Sequence, residues 1–434
     1  MEKTFFRQAV ALAAFAFCLL ATAHAVAEDK PYPFTDPYKA TVFGTPPDAV
    51  YTIQPVPRVS LRSFEVDSRP IPDIFWYAED LEYSVALQKK PAPLMFLIAG
   101  TGADHDASKM RFLRALFYGA GYHVACLSSP THFNFIVSAS RHAAAGYVPN
   151  DVEDLYRVMG WIADEIKEEA EVTGYDVGGY SLGGMHSAFL AHLDKSKGRF
   201  HFNKVLMINP AVNLYASALR FDSWLAPENT GGKTPVEVMD KLYRQFAKFY
   251  KKREVESLDS EVLFQLSQYL DASETDYKIL IGTSFRVTAA SMIFTSDVCL
   301  HAGYVVPSDT FLTSHDPLLP YFTVASKLRF EQYFDEYLYP YLRYLGPPIS
   351  KEEAIRNCSL ASIEPFLRSA DNIYVVGNLD DPILDHDEVT FLQDVFGERA
   401  FLFEHGGHCG NMMYAPFARR MLKDMGATAD EVKR

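Results

Sequence analysis

The sequence predicts an α/β protein whose sheet is mostly parallel and carries helices on both faces. Two continuous apolar runs, at 93–100 and 122–127, are typical of strands that are buried on both faces. Segments with helical periodicity follow them, at 109–118 and at about 150–169. Strands that alternate with helices in this way form βαβ units, and their right-handed crossovers produce a parallel sheet.

The other predicted elements extend this alternation towards both ends of the chain. Residues 81–87 alternate between apolar and polar, which predicts an antiparallel edge strand before the first buried strand. A short strand is predicted at 175–179 and a further helix at 182–193, and further buried strands are predicted at 204–209, 372–377 and 400–404. One sheet is therefore expected to collect strands from most of the chain.

A long stretch between the last predicted strands has a different pattern. From 212 to 370 helical periodicity dominates, as at 236–252 and 324–345, and buried strands are nearly absent. We predict that residues 212–370 form a mainly helical insertion into a sheet domain made of 28–211 and 371–434. An insertion at this point would cover the carboxyl ends of the strands, where open α/β sheets bind ligands.

The N-terminus has the layout of a cleaved secretory signal. Lys3 and Arg7 precede an apolar run at 9–23, and small residues follow at Ala23, Ala25 and Ala27. The run is shorter than the about 20 apolar residues of a spanning helix. We predict that residues 1–27 are removed and that the mature chain is periplasmic or extracellular, without a stable membrane span. An anchor that is not cleaved is the alternative.

Charge and cysteine content narrow the possible partners and cross-links. The net charge of −14 makes nucleic acid and anionic membrane surfaces poor partners. Four cysteines follow the predicted signal, and an exported chain permits disulfides between them. Cys299 and Cys358 lie in the same region and are the weakly preferred pair, whereas Cys126 lies in an apolar run that predicts a buried thiol.

The pattern Gly179-Tyr180-Ser181-Leu182-Gly183 marks the candidate nucleophile. It matches G-x-S-x-G, in which a serine occupies a strained turn between a strand and a helix, and glycines let the backbones pass closely. A predicted strand precedes this pattern and a predicted helix follows it. The alternative is an ordinary strand-to-helix turn that happens to contain a serine.

A serine hydroxyl needs a base, and two histidines follow the last predicted strand. His405 comes directly after that strand, where its side chain can pack or cap. His408 lies on the glycine-rich turn beyond, which can reach back over the sheet. We predict that His408 is the general base.

The acid that orients this histidine is expected after the strand at 372–377. Asp380 and Asp381 are the two candidates, and only one of them can face the histidine. Asp380 is preferred because it follows Gly377 by three residues, and Asp381 is the alternative acid. A carboxylate here would fix the tautomer of the imidazole and stabilise the imidazolium.

The oxyanion that forms during acyl transfer needs two N–H donors. Leu182, directly after the nucleophile, is predicted to supply one, and Thr101, in the loop after the first buried strand, the other. The clusters 104–106 and 385–387 contain Asp and His but have no partners at metal-ligand spacing. They are predicted to be polar loops, and no metal or cofactor is expected.

These motifs resemble the α/β-hydrolase superfamily, in its esterase and lipase branch with a helical cap. The resemblance covers about 80–211 and 370–425. Gly377-x-x-Asp380 and His405-Gly-Gly-His408-x-Gly410 are similar to motifs of bacterial predicted esterases. The usual His-Gly oxyanion signature reads Ala99-Gly100-Thr101-Gly102 in this chain, without the histidine.

The resemblance implies a serine hydrolase that cleaves carboxylic esters through a Ser-His-Asp triad and an acyl-enzyme. A peptidase, a thioesterase and an acyltransferase share this triad and stay open as alternatives. A non-catalytic binding protein on the same fold is the alternative from another class. The implied partner is a small-molecule or lipid ester, whose acyl length depends on the insertion.

Overall fold

The computed structural model describes residues 31–65, 70–253 and 260–427. The predicted signal peptide, residues 1–27, lies outside the described residues, so its cleavage and the export of the chain stay predictions.

Eight strands form one sheet, in the order β1-β2-β4-β3-β5-β6-β7-β8. Their bounds are β1 Ser60–Glu65, β2 Asp80–Ala86, β3 Ala92–Ile98, β4 His123–Leu127, β5 Val172–Tyr180, β6 Val205–Ile208, β7 Ile373–Asn378 and β8 Ala400–Phe403. All pairs from β4 to β8 are parallel, and β2 pairs antiparallel with both β1 and β4. The predicted mostly parallel α/β sheet is confirmed.

The sequence predicted that residues 81–87 form an edge strand, and this is wrong. The corresponding strand, β2, lies between β1 and β4. Most of its residues are buried, and β1 covers its outer side. In β1 half-buried residues alternate with exposed ones, so this strand has the weak apolar pattern of a true edge strand.

The parallel strands are apolar because both of their faces are covered. Along β3, Phe96 and Ile98 join the hydrophobic core on one face, whereas Met95 and Leu97 join the core on the other face. This alternation follows from the two-residue period of a strand. The sheet is therefore the middle layer between two sets of helices, as predicted.

The α-helices are numbered along the chain. Their bounds are α1 Pro37–Phe43, α2 Ser108–Gly119, α3 Phe133–Ser138, α4 Val148–Glu169, α5 Leu182–Lys197, α6 Leu214–Ser223, α7 Pro227–Thr230, α8 Pro235–Arg253, α9 Ser260–Tyr269, α10 Glu274–Leu300, α11 Leu319–Ala325, α12 Phe330–Tyr333, α13 Tyr339–Leu345, α14 Lys351–Asn357, α15 Glu364–Ser369, α16 His386–Phe396 and α17 Ala415–Asp424. Shorter helical turns lie at 47–49, 73–78, 334–338, 360–363 and 397–399.

Between β6 and β7 the described residues form helices α6 to α15 and no named strand. The longest of them, α10, has 27 residues and begins at a capping box formed by Ser273 and Asp276. By length and composition α10 is, within the described ranges, the single candidate for a membrane span. Half of its most apolar window is buried inside the protein, which is consistent with a core helix.

No disulfide joins the four cysteines of the described residues to one another, so the weakly preferred pairing of Cys299 with Cys358 is wrong. The Cys358 thiol is buried and accepts a hydrogen bond from the Val148 N–H at 3.4 Å, at the start of α4. Cys126 is a buried thiol in β4, as the sequence predicted.

Candidate active site

Ser181 occupies the turn between β5 and α5. Its backbone has φ 56° and ψ −125°, a conformation that costs energy for any residue with a side chain. The glycines on either side are required by space: a Cβ on Gly183 would lie 2.2 Å from the Ile98 carbonyl oxygen, and one on Gly179 would lie 2.5 Å from Gly183. The turn therefore packs tightly against the end of β3 and holds the Ser181 side chain at the carboxyl edge of the sheet.

His408 lies on the loop after β8 and reaches Ser181. Its Nε2 atom is 2.8 Å from the Ser181 Oγ atom, which is hydrogen-bond distance for proton transfer. The histidine side chain is 14% exposed, so it is largely shielded from water. His405, the other predicted candidate, lies instead beside Asp380, with its Nδ1 atom 3.6 Å from that carboxylate.

The carboxylate that faces His408 belongs to Asp381, the alternative acid, and not to the preferred Asp380. Asp381 oxygens lie 2.9 and 3.1 Å from the His408 Nδ1 atom, and the Asp381 side chain is fully buried. After β7 the chain makes a turn, in which the Asp381 N–H donates a hydrogen bond to the Asn378 carbonyl at 3.4 Å. The carboxylates of Asp380 and Asp381 therefore have different partners. Asp380 accepts hydrogen bonds from the N–H groups of Gly406 and Gly407.

Asp381 is held by two further donors. The Asn209 side-chain amide donates to its Oδ2 atom at 3.0 Å, and the Ile383 N–H donates to its Oδ1 atom at 3.1 Å. These hydrogen bonds compensate the carboxylate for the loss of water and fix its orientation towards His408.

The histidine loop is braced from the N-terminal part of the chain. The Thr41 hydroxyl, on α1, accepts the His408 N–H at 2.9 Å and donates to the Pro37 carbonyl at 2.6 Å. On the sheet side, the Asn378 amide donates to the Gly407 carbonyl at 2.7 Å. The backbone of His408 is thus fixed separately from its ring.

Cys409, the residue after His408, is a buried thiol next to the serine turn. Burial raises the pKa of this thiol to about 12, so it stays neutral. A neutral buried thiol is a poor nucleophile, and Ser181 has no competitor there.

Both residues that are predicted to supply the oxyanion donors line the same cavity. Leu182 is the first residue of α5, where N–H groups have no partner within the helix. Gly100 lies so close to the serine turn that a Cβ on it would be 3.2 Å from the Ser181 Cβ atom. Thr101 follows Gly100 and lines the cavity together with Leu182. Their role as donors stays a prediction.

Sequence reasoning missed Thr41 and Asn209. Asn209 follows β6 directly, and a polar residue at the carboxyl end of a parallel strand is a detectable signal. Thr41 had no such signal, because α1 lies in a proline-rich segment far from the motifs in sequence.

The arrangement can carry out acyl transfer. Asp381, His408 and Ser181 form one chain of hydrogen bonds, in which the carboxylate orients the imidazole and the imidazole can take the serine proton. The strand-turn-helix around the serine and the chain order Ser, Asp, His are those of the α/β-hydrolase fold. Among the described residues, no group of three or more His, Cys, Asp or Glu side chains could hold a metal ion.

Comparisons with known proteins find distant structural similarities only. No protein-family model and no curated protein matches the chain. Among solved structures, an esterase from the archaeon Pyrobaculum calidifontis matches with 15% identity and a TM-score of 0.39, over 86% of this chain and 88% of that one. Brefeldin A esterase, a bacterial homologue of human hormone sensitive lipase, matches with 15% identity and a TM-score of 0.38, over 98% and 93%. A thioesterase domain from the curacin biosynthetic pathway matches with 10% identity and a TM-score of 0.39, over 85% and 99%. Similarities at this level do not identify an activity.

Proposed function

We propose that this protein is a serine hydrolase that cleaves carboxylic esters through an acyl-enzyme. The observation that carries the proposal is the hydrogen-bonded chain from Asp381 through His408 to Ser181, with its buried carboxylate. Three side chains from three separate loops meet in the order and geometry that nucleophilic catalysis by serine requires.

In the first step the Ser181 Oγ atom attacks the carbonyl carbon of the ester as His408 takes the hydroxyl proton. The tetrahedral oxyanion is stabilised by the N–H groups of Leu182 and Thr101. His408 then donates its proton to the departing alkoxide, so an alcohol leaves and an ester of Ser181 remains. In the second step His408 activates a water, and the carboxylic acid is released with Ser181 restored.

The cavity beside the oxyanion donors favours an ester over a charged peptide substrate. None of the ten residues that line this cavity is charged. The alkyl chain of an acyl group can enter such a site without losing hydrogen bonds to water, whereas an ammonium group would be buried there without a charged partner.

Labelling with a fluorophosphonate probe tests the proposal, since the probe phosphonylates an activated serine. We expect the wild-type protein to be labelled and the Ser181→Ala variant not to be labelled. Ser196→Ala, an exposed serine on the same helix, is the matched control and should label as the wild type does. Labelling that survives in Ser181→Ala would contradict the proposal, and a wild-type protein that is never labelled and hydrolyses no p-nitrophenyl ester would favour a binding protein.

A further inference from the structure

The cavity at the candidate active site lies between the sheet loops on one side and α10 on the other. Thr101 and Leu182 form the side next to Ser181. Phe285, Thr288, Ala289 and Met292 form the opposite side, and their spacing puts them on one face of α10. The insertion therefore supplies the wall that faces the predicted oxyanion donors.

This cavity is small. The centre of a water-sized sphere can occupy about 20 Å³ of it. About 10–15 Å³ by this measure holds a single water, so the space fits one or two methyl-sized groups. The oxyanion loop and α10 are also in direct contact, since a Cβ on Gly102 would lie 2.0 Å from the Thr288 methyl carbon.

The walls of the cavity are held together by a partly buried ion pair. Asp222, on α6, pairs with Arg286 on α10 and accepts the Phe330 N–H, at the start of α12, at 2.7 Å. The Phe285 ring stacks on the Phe221 ring, with centroids 4.3 Å apart. Helices α6, α10 and α12, which all contribute lining residues, are thus fixed to one another. A movement of these helices that widened the cavity would break these contacts.

We propose that this cavity binds the acyl group and limits the substrates to esters of short acids, with acetyl and propionyl groups preferred. The inference rests on the proposed function. If Ser181 forms an acyl-enzyme, the acyl carbon bonded to its Oγ atom must lie next to Leu182 and Thr101, and both of these residues line the cavity. The lining is apolar apart from threonine side chains, which suits a short alkyl chain. Met292, the most flexible of the large lining side chains, is the residue whose size sets the limit.

The test compares kcat/KM for the p-nitrophenyl esters of acetate, propionate, butyrate and hexanoate. We expect the wild-type value to fall at least tenfold between propionate and hexanoate, because a methylene that does not fit lowers kcat/KM by about tenfold or more. Met292→Ala should raise the hexanoate-to-acetate ratio at least tenfold. Met292→Leu, which nearly conserves volume, should leave that ratio within about threefold of the wild type.

A second measurement needs no variant. The wild-type protein should react faster with a methyl fluorophosphonate than with an octyl fluorophosphonate, because the alkyl group on phosphorus takes the place of the acyl chain. If both probes label Ser181 equally fast, or if hexanoate is the best ester, the short-acyl inference is overturned while the proposed function stands. If neither probe labels the protein and no ester is cleaved, the proposed function itself fails.

Discussion

Asp380 and Asp381 are adjacent in sequence but support different parts of the same loop. Asp381 accepts from the His408 ring, whereas Asp380 accepts from the backbone N–H groups of Gly406 and Gly407. Burial raises the pKa of Asp380, and the two N–H donors oppose that rise. One carboxylate thus orients the proposed base, and its neighbour shapes the turn that presents it.

Amide substitutions of these two residues should have very different effects. Asp381→Asn keeps the shape but replaces one acceptor oxygen with a donor, so the His408 tautomer that can take the serine proton is lost. We expect kcat to fall by about 10³- to 10⁴-fold. Asp380→Asn should lower kcat by about tenfold or less, because the side-chain amide oxygen of the asparagine can still accept a hydrogen bond from the Gly406 or Gly407 N–H group. Ester hydrolysis by both variants checks this, and equal losses would contradict the division of roles.

The sequence was sufficient to predict Ser181 and His408 as partners but not the acid. Serine and histidine each occupy a pattern whose chain order and flanking elements have few alternatives. The choice between Asp380 and Asp381 depends on the direction of a turn after β7, and each of two consecutive aspartates satisfies the same pattern. The geometry of this turn depends on hydrogen bonds with the loop at 405–411. That loop is distant in sequence, so the residues around Asp380 and Asp381 do not predict these contacts.

At the scale of elements, α1 connects the histidine loop to the helical insertion. A Cβ on Gly407 would lie 2.1 Å from the Pro37 carbonyl oxygen, so the loop rests directly on α1. On its other side α1 meets the insertion, where the Phe43 and Tyr277 rings make an edge contact with centroids 6.0 Å apart. A seven-residue helix therefore contacts both parts of the protein that build the candidate site.

Thr41 is the residue of α1 that acts on His408, and its hydroxyl is the group to test. Thr41→Val keeps the shape of the side chain but leaves the His408 N–H without its acceptor. We expect kcat to fall by about tenfold with KM nearly unchanged, because the base is misplaced while the acyl cavity is intact. Thr41→Ser should restore most of kcat. A Thr41→Val variant that is less stable to heat but has normal kcat would show that the contact is only structural.

Strands were easier to predict than α1. Most buried parallel strands are continuous apolar runs, and such runs predict β3, β4, β6, β7 and β8. The edge strand β1 alternates between half-buried and exposed residues, and α1 begins at a proline in a proline-rich segment. Both elements contact residues that are distant in sequence, and neither has a strong apolar periodicity of its own. For this reason neither β1 nor α1 was predicted.

At the scale of the whole molecule, a buried pair of ionisable side chains lies between α4 and α5. His186 is fully buried on α5, and its Nε2 atom is 4.0 Å from the Asp151 carboxylate on α4. Neither ring nitrogen of His186 has a hydrogen-bond partner within the described part of the chain. Burial lowers the pKa of His186 to about 3, so the native protein keeps this ring neutral.

The stability of the protein should therefore depend on pH through His186. Between its ordinary pKa near 6.5 and its native pKa, the unfolded chain binds a proton that the native protein does not bind. The free energy of unfolding then falls by about 1.4 kcal/mol for each pH unit that the solution is acidified. Urea unfolding of the wild type and of His186→Gln at pH 7 and pH 5 checks this. The wild type should lose about 2 kcal/mol more than the variant, and equal losses would contradict it, since Asp151 is present in both.

The hydrogen bond between Thr41 and His408 joins residues 367 positions apart, one near each end of the chain. Contacts of such high sequence separation are closed late in folding, because the entropy of a long loop must be lost first. The serine turn, in contrast, is built on strands β3, β5 and β6, which all precede residue 209 in the chain. The base reaches its position only once β8 and the following loop have been synthesised and docked on α1. Competence for the proposed reaction is thus a property of the finished chain, and a nascent or C-terminally truncated polypeptide would carry the nucleophile without the means to activate it.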